Sequence, residues 1–333
     1  MEPVRIRTFV AWMERRQIGL YVAAIVAGAS VGFVAPGSAS ALELAINPVL
    51  GLLLYATFLG IPFASLGRAA RDLRFMAAVL VVNFAVVPVV VFGLSRFVAG
   101  DEALLVGVLL VLLTPCIDYV IVFTGLAGGA SDRLLAAAPV LMLAQMLLLP
   151  VYLLIFVGPD LVSAIDPSPF VQALVGLTII PLALAALTQW WTRSSAPGRG
   201  AGRRVMAAMQ SLMVPLMMAT LAVVVGSQIV AVRQELGSLL AVVPLCAAFL
   251  LVMVPLGLLA ARSARLDVPA TRAVVFSGAT RNSLVVLPLA LALPEPLALA
   301  ALVVVTQTLV ELVGMVAYVR FLPRLAPADA SAR

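Results

Sequence analysis

The chain has 333 residues, of which 64% are hydrophobic and 11% charged, with a mean hydropathy of +1.18. Soluble domains carry roughly a quarter charged residues, so this composition excludes a soluble catalytic or regulatory domain; the length holds about ten membrane helices of about 20 residues with short loops. The net charge of +6 does not mark a nucleic-acid binder, because the arginines cluster between apolar stretches and form no basic face interleaved with aromatics.

Arg5, Arg7, Arg15 and Arg16 precede the first apolar stretch, as in a signal peptide. That stretch is long and lacks a convincing A-x-A cleavage site, so it reads as an uncleaved first helix. Charges and Pro/Gly clusters then divide the chain into ten apolar segments near 17–35, 41–66, 74–98, 102–128, 134–157, 169–192, 205–230, 236–261, 269–293 and 297–322.

All 21 basic residues are arginine, and their distribution tests the count. Cytoplasmic loops hold the excess of basic residues. With the N-terminus inside, the cytoplasmic segments collect Arg68, Arg71 and Arg74, then Arg133, then Arg193, Arg199, Arg203 and Arg204, then Arg262, Arg265 and Arg272, and finally Arg320, Arg324 and Arg333. The outside loops receive only Arg96 and Arg233, and no inversion of the pattern occurs. The expectation is a multi-pass protein of the plasma (inner) membrane with both termini cytoplasmic.

The stretch 158–168, GPDLVSAIDPS, divides the chain into two halves of five segments, 1–158 and 169–323, followed by a tail at 324–333. Similar halves with an odd number of spans must insert with opposite orientations, the geometry of an inverted-repeat transporter whose site lies where discontinuous helices meet. The expected fold is therefore an all-α membrane protein of ten transmembrane helices in two inverted five-helix repeats, with spans 4 and 9 broken and crossing. Pro88 in span 3 and Pro255 in span 8 stand at matching places.

Ionisable side chains within membrane spans are costly and face a cavity or a partner. Three stand out: Asp118 in LLTPCIDYVIVF, Arg281 in FSGATRNSLVV and Glu311 in TQTLVELVGM. In span 4, Pro115 after Thr114 lacks a backbone donor and breaks the helix. In span 9, Gly278, Thr280, Arg281, Asn282 and Ser283 interrupt the apolar run and read as the second break. If the breaks cross, Asp118 and Arg281 are expected to pair, each lowering the cost of burying the other; such a pair either fixes the crossing or takes part in transport. Glu311, with Gln307 beside it, is either a contact between helices or a proton site. Cys116 adjoins the first break, and its thiolate suits a soft ion such as trivalent arsenic or antimony; the alternative for it, as for Cys246, is a small buried hydrophobe. Asn83, Gln145 and Gln228 read as polar contacts between helices. There is no histidine, and two cysteines inside apolar runs give neither a disulfide scaffold nor a zinc site.

The segments TPCIDYVIVFTGLA (114–127) and FSGATRNSLVVLPLALALP (276–294) resemble the fourth and ninth helices of the bile acid/sodium symporter superfamily, and within it the branch of arsenite permeases. The resemblance covers essentially all ten spans. It implies a panel and a core domain, with substrate bound near the crossing of helices 4 and 9. It carries the metalloid-binding cysteine onto Cys116 and the ninth-helix asparagine onto Asn282. The branch's glutamate after that asparagine is replaced by Leu284, while Asp118 and Arg281 are charges the typical member lacks. Sodium-coupled members bind the cation with neutral oxygens and an acid at this crossing, and a permanent guanidinium there opposes sodium. Proton coupling, with Asp118 as the protonated group, or uniport is expected instead; a neutral Asp118 would leave Arg281 to attract an anionic or strongly polar substrate.

The leading functional expectation is a secondary transporter that exports arsenite or a related metalloid in exchange for protons, with no cofactor and no metal. The first alternative is a carrier of small organic anions held by Arg281 and Asn282. The second is an intramembrane enzyme using Cys116 as nucleophile with Asp118 as its partner, which the absence of a histidine base disfavours.

Overall fold

The computed structural model describes residues 2–60, 72–158, 168–193 and 199–327, and among these the chain is helical with no strand. Arg68, Arg71, Arg333 and positions 159–167 of the expected external loop lie outside the described residues.

The chain opens with α1 (Glu2–Val34) and α2 (Ala39–Gly60). Next, α3 (Leu73–Val81) and α4 (Val87–Ser95) are joined by a π-helical turn over Val82–Val86. Then α5 (Glu102–Leu112) and α6 (Tyr119–Leu126) form one interrupted helix, followed by α7 (Ser131–Val157). The second half holds α8 (Ser168–Ala173), a π-helical turn over Leu174–Ile179, α9 (Ile180–Arg193), α10 (Arg199–Ser211), α11 (Met213–Gln234), α12 (Leu236–Leu239) and α13 (Val242–Ser263). It ends with a second interrupted helix, α14 (Val268–Ala279) and α15 (Ser283–Leu291), and with α16 (Leu299–Leu325).

Among the described residues, eight helical stretches are long and apolar enough to cross a membrane by length and composition. The chain is a multi-pass membrane protein. The remaining two apolar segments of the sequence fall on the interrupted helices, whose halves are each too short to cross alone. Carboxylates fix where several helices begin. Asp72 accepts from Phe75 N, Asp101 from Leu104 N and Asp267 from Ala270 N, each satisfying a main-chain donor the helix leaves open. Pro88 and Pro255, alike in sequence position, differ in effect: Pro88 follows the π-helical turn, whereas Pro255 sits inside the continuous α13.

Two compact units make up the fold, Met1–Ile61 with Val171–Gln234 and Pro62–Phe170 with Glu235–Arg333. Each draws on both halves of the sequence. In the first unit, α1 and α11 pack with their backbones touching. A Cβ at Gly28 would lie 2.3 Å from Ala222 O, and one at Gly32 would lie 2.5 Å from Gly226 O. Small residues four apart on both helices allow this approach, which van der Waals contact then stabilises without help from the hydrophobic effect. Across α2 and α9, Tyr55 Oη lies 2.9 Å from Thr188 Oγ1, and Gln189 donates to Leu59 O.

In the second unit the interrupted helices are enclosed. Residues 103–112 of α5 are all buried, as are 283–287 of α15, so these halves are covered on every side by neighbouring helices. By contrast α7 leaves Leu147 and Ile155 exposed. Enclosure is what makes the breaks tolerable, since irregular backbone survives in a membrane only where protein or water satisfies its polar groups.

At one end of this unit, arginines hold helix ends together. Arg133 reaches Asp72 Oδ2 at 3.2 Å and Asp267 Oδ2 at 2.8 Å, bridging the caps of α3 and α14 from the start of α7. The buried Arg272 donates to Ala127 O and Gly128 O after α6, and twice to Ala326 O after α16.

Candidate functional site

Both breaks expected from the sequence are present. Helix stops at Leu112 and resumes at Tyr119; it stops again at Ala279 and resumes at Ser283. The two unwound segments run antiparallel across each other, with Pro115 paired to Arg281. Cys116 N donates to Thr280 O at 3.1 Å, and Asn282 N donates to Thr114 O at 2.8 Å. This is the wide pairing, in which the flanking residues make the bonds and the paired residues point their own N–H groups away. Position 115 therefore needs no donor, which suits proline. The N–H of Arg281 points outward and meets Glu311 Oε2 at 2.8 Å.

The crossing has local two-fold character. Thr114 and Thr280 occupy equivalent places, and each hydroxyl donates to the carbonyl four residues earlier, Leu110 O at 2.6 Å and Phe276 O at 2.7 Å. Gly278 lies before the break, in the last turn of α14. Its missing side chain admits Val82 Cγ1 and Met253 Cε, which would stand 2.6 and 3.0 Å from a Cβ there.

Arg281 is 0% exposed. Its Nη2 donates to Ser277 O, Gly278 O and Asn83 Oδ1 at 2.6, 2.7 and 2.9 Å, its Nη1 to Leu112 O at 3.3 Å, and its guanidinium carbon lies 5.5 Å from the centre of the Phe249 ring. The side chain's hydrogen bonds thus run to neutral oxygens rather than to Asp118, as the sequence had suggested. The physical reason is that the last turns of α5 and α14 leave carbonyls open at the negative ends of their dipoles, the favoured place for a cation. Asp118 occupies the complementary place, at the positive end of α6, 1% exposed.

The acid that joins the crossing to the rest of the unit is Glu311 on α16. Besides Arg281 N, its carboxylate accepts from Tyr119 Oη and from Gln307 Nε2, each at 2.5 Å. Tyr119 Oη also stands 3.2 Å from Arg281 O. Asn282 caps α15 through its Oδ1 to Val285 N, while its Nδ2 and the Oε1 of Gln307 are buried with no protein partner. Cys116 and Ser283 are each 1% exposed, and Cys246 is buried in α13.

In the sequence Asn83 reads as a general helix contact, and Tyr119 and Ser277 do not stand out. Asn83 lies in the π-helical turn of span 3, its Nδ2 held by Val79 O and Ser277 Oγ, both at 2.9 Å, so that its carbonyl oxygen faces Arg281. The nearby Pro88 was the available signal, since a proline frees carbonyls one turn upstream. Nothing local could have paired Tyr119 with a residue 192 positions away.

Two interrupted helices meeting inside a helical membrane protein are the construction of secondary transporters. The family model described as the sodium bile acid symporter family matches residues 47–236, more than half of the chain, and the chain belongs to that family. It is accordingly a membrane secondary transporter. The matched interval includes the first break and ends before the second. No curated protein matches the chain.

Proposed function

We propose that this transporter carries its solute through the crossing of the two breaks, and that the solute is a trivalent metalloid such as arsenite, exported across the inner membrane in exchange for protons. The observation that carries the reading is the Pro115–Arg281 bridge, which sets Cys116 opposite Thr280 and Asn282 opposite Thr114 between the ends of four half-helices. The Cys116 sulfur is the soft donor a metalloid prefers. A single sulfur binds weakly enough to release. The buried Asn282 Nδ2 and Gln307 Oε1 supply a donor and an acceptor for hydroxyl groups on the metalloid. Asp118 and Glu311 are the proton-carrying candidates.

The surrounding frame in this proposal is ten helices in two inverted five-helix repeats, residues 1–158 and 169–323, with the tail from 324 and the N-terminus cytoplasmic. The matched threonines of the crossing support it, and so does the make-up of the compact units, each drawing helices from both halves.

The family's description names a bile acid, and carriage of a small organic anion on Arg281 and Asn282 is the second reading. It requires the buried guanidinium to leave the four neutral oxygens it holds, which weighs against it. The test is flux into everted membrane vesicles under an imposed pH gradient, for wild type, Cys116→Ser, Asp118→Asn and Arg281→Gln. Arsenite accumulation that depends on the gradient and vanishes in Cys116→Ser is expected. Undiminished accumulation in that variant, or flux of an organic anion alone, refutes the metalloid reading.

A further inference from the structure

Four oxygens converge on the guanidinium of Arg281, and none is charged. Three are main-chain carbonyls, Leu112 O, Ser277 O and Gly278 O, and the fourth is the amide oxygen of Asn83, all within 2.6–3.3 Å of a nitrogen. Carbonyl and amide oxygens are the ligands by which proteins hold hard metal cations. Unwound carbonyls and half-helix C-terminal ends are where membrane carriers hold a coupling ion. The arrangement is built rather than incidental. The π-helical turn carries Asn83 inward, two further hydrogen bonds fix its amide, and the ring of Phe249 lies over the guanidinium. At 0% exposure the charge cannot exchange with solvent.

We propose that Arg281 is a tethered cation: its guanidinium occupies, from within the chain, the place a free metal ion would take at the C-terminal ends of α5 and α14, so that the crossing forms and works without sodium. On this proposal the position requires a cation rather than any polar residue. The two half-helix ends direct partial negative charge at one point, and a neutral side chain there would leave them facing each other. In a family described by sodium symport, this chain is then a sodium-independent member whose cation never leaves. The consequence for coupling rests on reading the crossing as the transport site. The test requires no transported solute, so either idea can fail alone.

The purified full chain in detergent is heated in sodium chloride or in choline chloride. A thiol-reactive fluorogenic dye reports exposure of the buried Cys116 and Cys246. Wild type is expected to show the same midpoint in both salts. Arg281→Ala is expected to unfold several degrees lower, and low-millimolar guanidinium to restore much of the loss while urea, its neutral analogue, restores none. Should Arg281→Ala give no folded protein, Arg281→Lys and Arg281→Met decide by yield: folded protein recovered for lysine and not for methionine is expected. A midpoint of wild type raised selectively by sodium overturns the proposal. Rescue by urea equal to that by guanidinium, an unshifted Arg281→Ala, or equal recovery of the lysine and methionine variants does the same.

Discussion

Pro115 and Arg281 face each other across the crossing as a wide antiparallel pair, with the hydrogen bonds made by the residues on either side. Proline costs nothing in this position because the paired residue's own N–H points away from the partner. Pro115→Ala adds a buried donor there and removes a block to helix continuation. An unsatisfied buried donor costs about 1–3 kcal/mol. The variant should lose stability of that order in detergent unfolding, and an unchanged midpoint would contradict the geometry.

Glu311 accepts from Tyr119, Gln307 and the main chain of Arg281 at once. Glu311→Leu strands the main-chain N–H of Arg281 and the Gln307 amide, and leaves the Tyr119 hydroxyl only Arg281 O. Each unsatisfied buried donor costs about 1–3 kcal/mol, so Glu311→Leu should be poorly recovered. Glu311→Gln keeps an acceptor and should be milder. A double-mutant cycle of Tyr119→Phe with Glu311→Gln should show an interaction energy of about 0.5–3 kcal/mol; additive losses would mean that the bond between them carries no energy.

Arg133 and Arg272 both gather helix ends, but in different surroundings. Arg133 bridges Asp72 and Asp267 with each side chain at least 36% exposed, where ion pairs contribute about 0.2–1 kcal/mol. Arg272 is 8% exposed and holds three carbonyls. Hydrogen bonds from a charged group contribute about 1.5–3 kcal/mol each. Arg272→Gln should therefore lower the unfolding midpoint well beyond Arg133→Gln, and the smaller effect should shrink further in high salt. The reverse ranking would show that exposure is not what separates them.

Much of the crossing is legible in the sequence because membrane helices leave few ways to hide a polar residue. Thr114, Pro115, Thr280 and Asn282 interrupt otherwise apolar runs, and all four lie in the breaks. What the sequence could not supply is the partner of each charge. Pairing Arg281 with Asp118 assumes that buried charges neutralise each other side chain to side chain. The chain instead meets the guanidinium with carbonyls left open by two helix ends, and meets Glu311 with a main-chain N–H, a tyrosine and a glutamine. Main-chain groups are present at every residue and so leave no mark in a sequence. The π-helical turn that aims Asn83 was equally silent.

The close approach of α1 and α11 gives a last prediction, with its control in the same helix. A Cβ at Gly28 would lie 2.3 Å from Ala222 O and 2.8 Å from Ala222 Cα, and both are backbone atoms that cannot rotate aside. Gly28→Ala must push the helices apart, and overpacking of this kind costs about 1–3 kcal/mol. Gly19, nine residues earlier on α1, has nothing within 4 Å of its Cβ position. There alanine removes backbone freedom from the unfolded chain without a clash, so Gly19→Ala should be neutral or stabilising by up to about 1 kcal/mol. Unfolding midpoints of the two variants should therefore move in opposite directions or differ by several degrees. Equal shifts would show that α1 does not rest on α11 through its glycines.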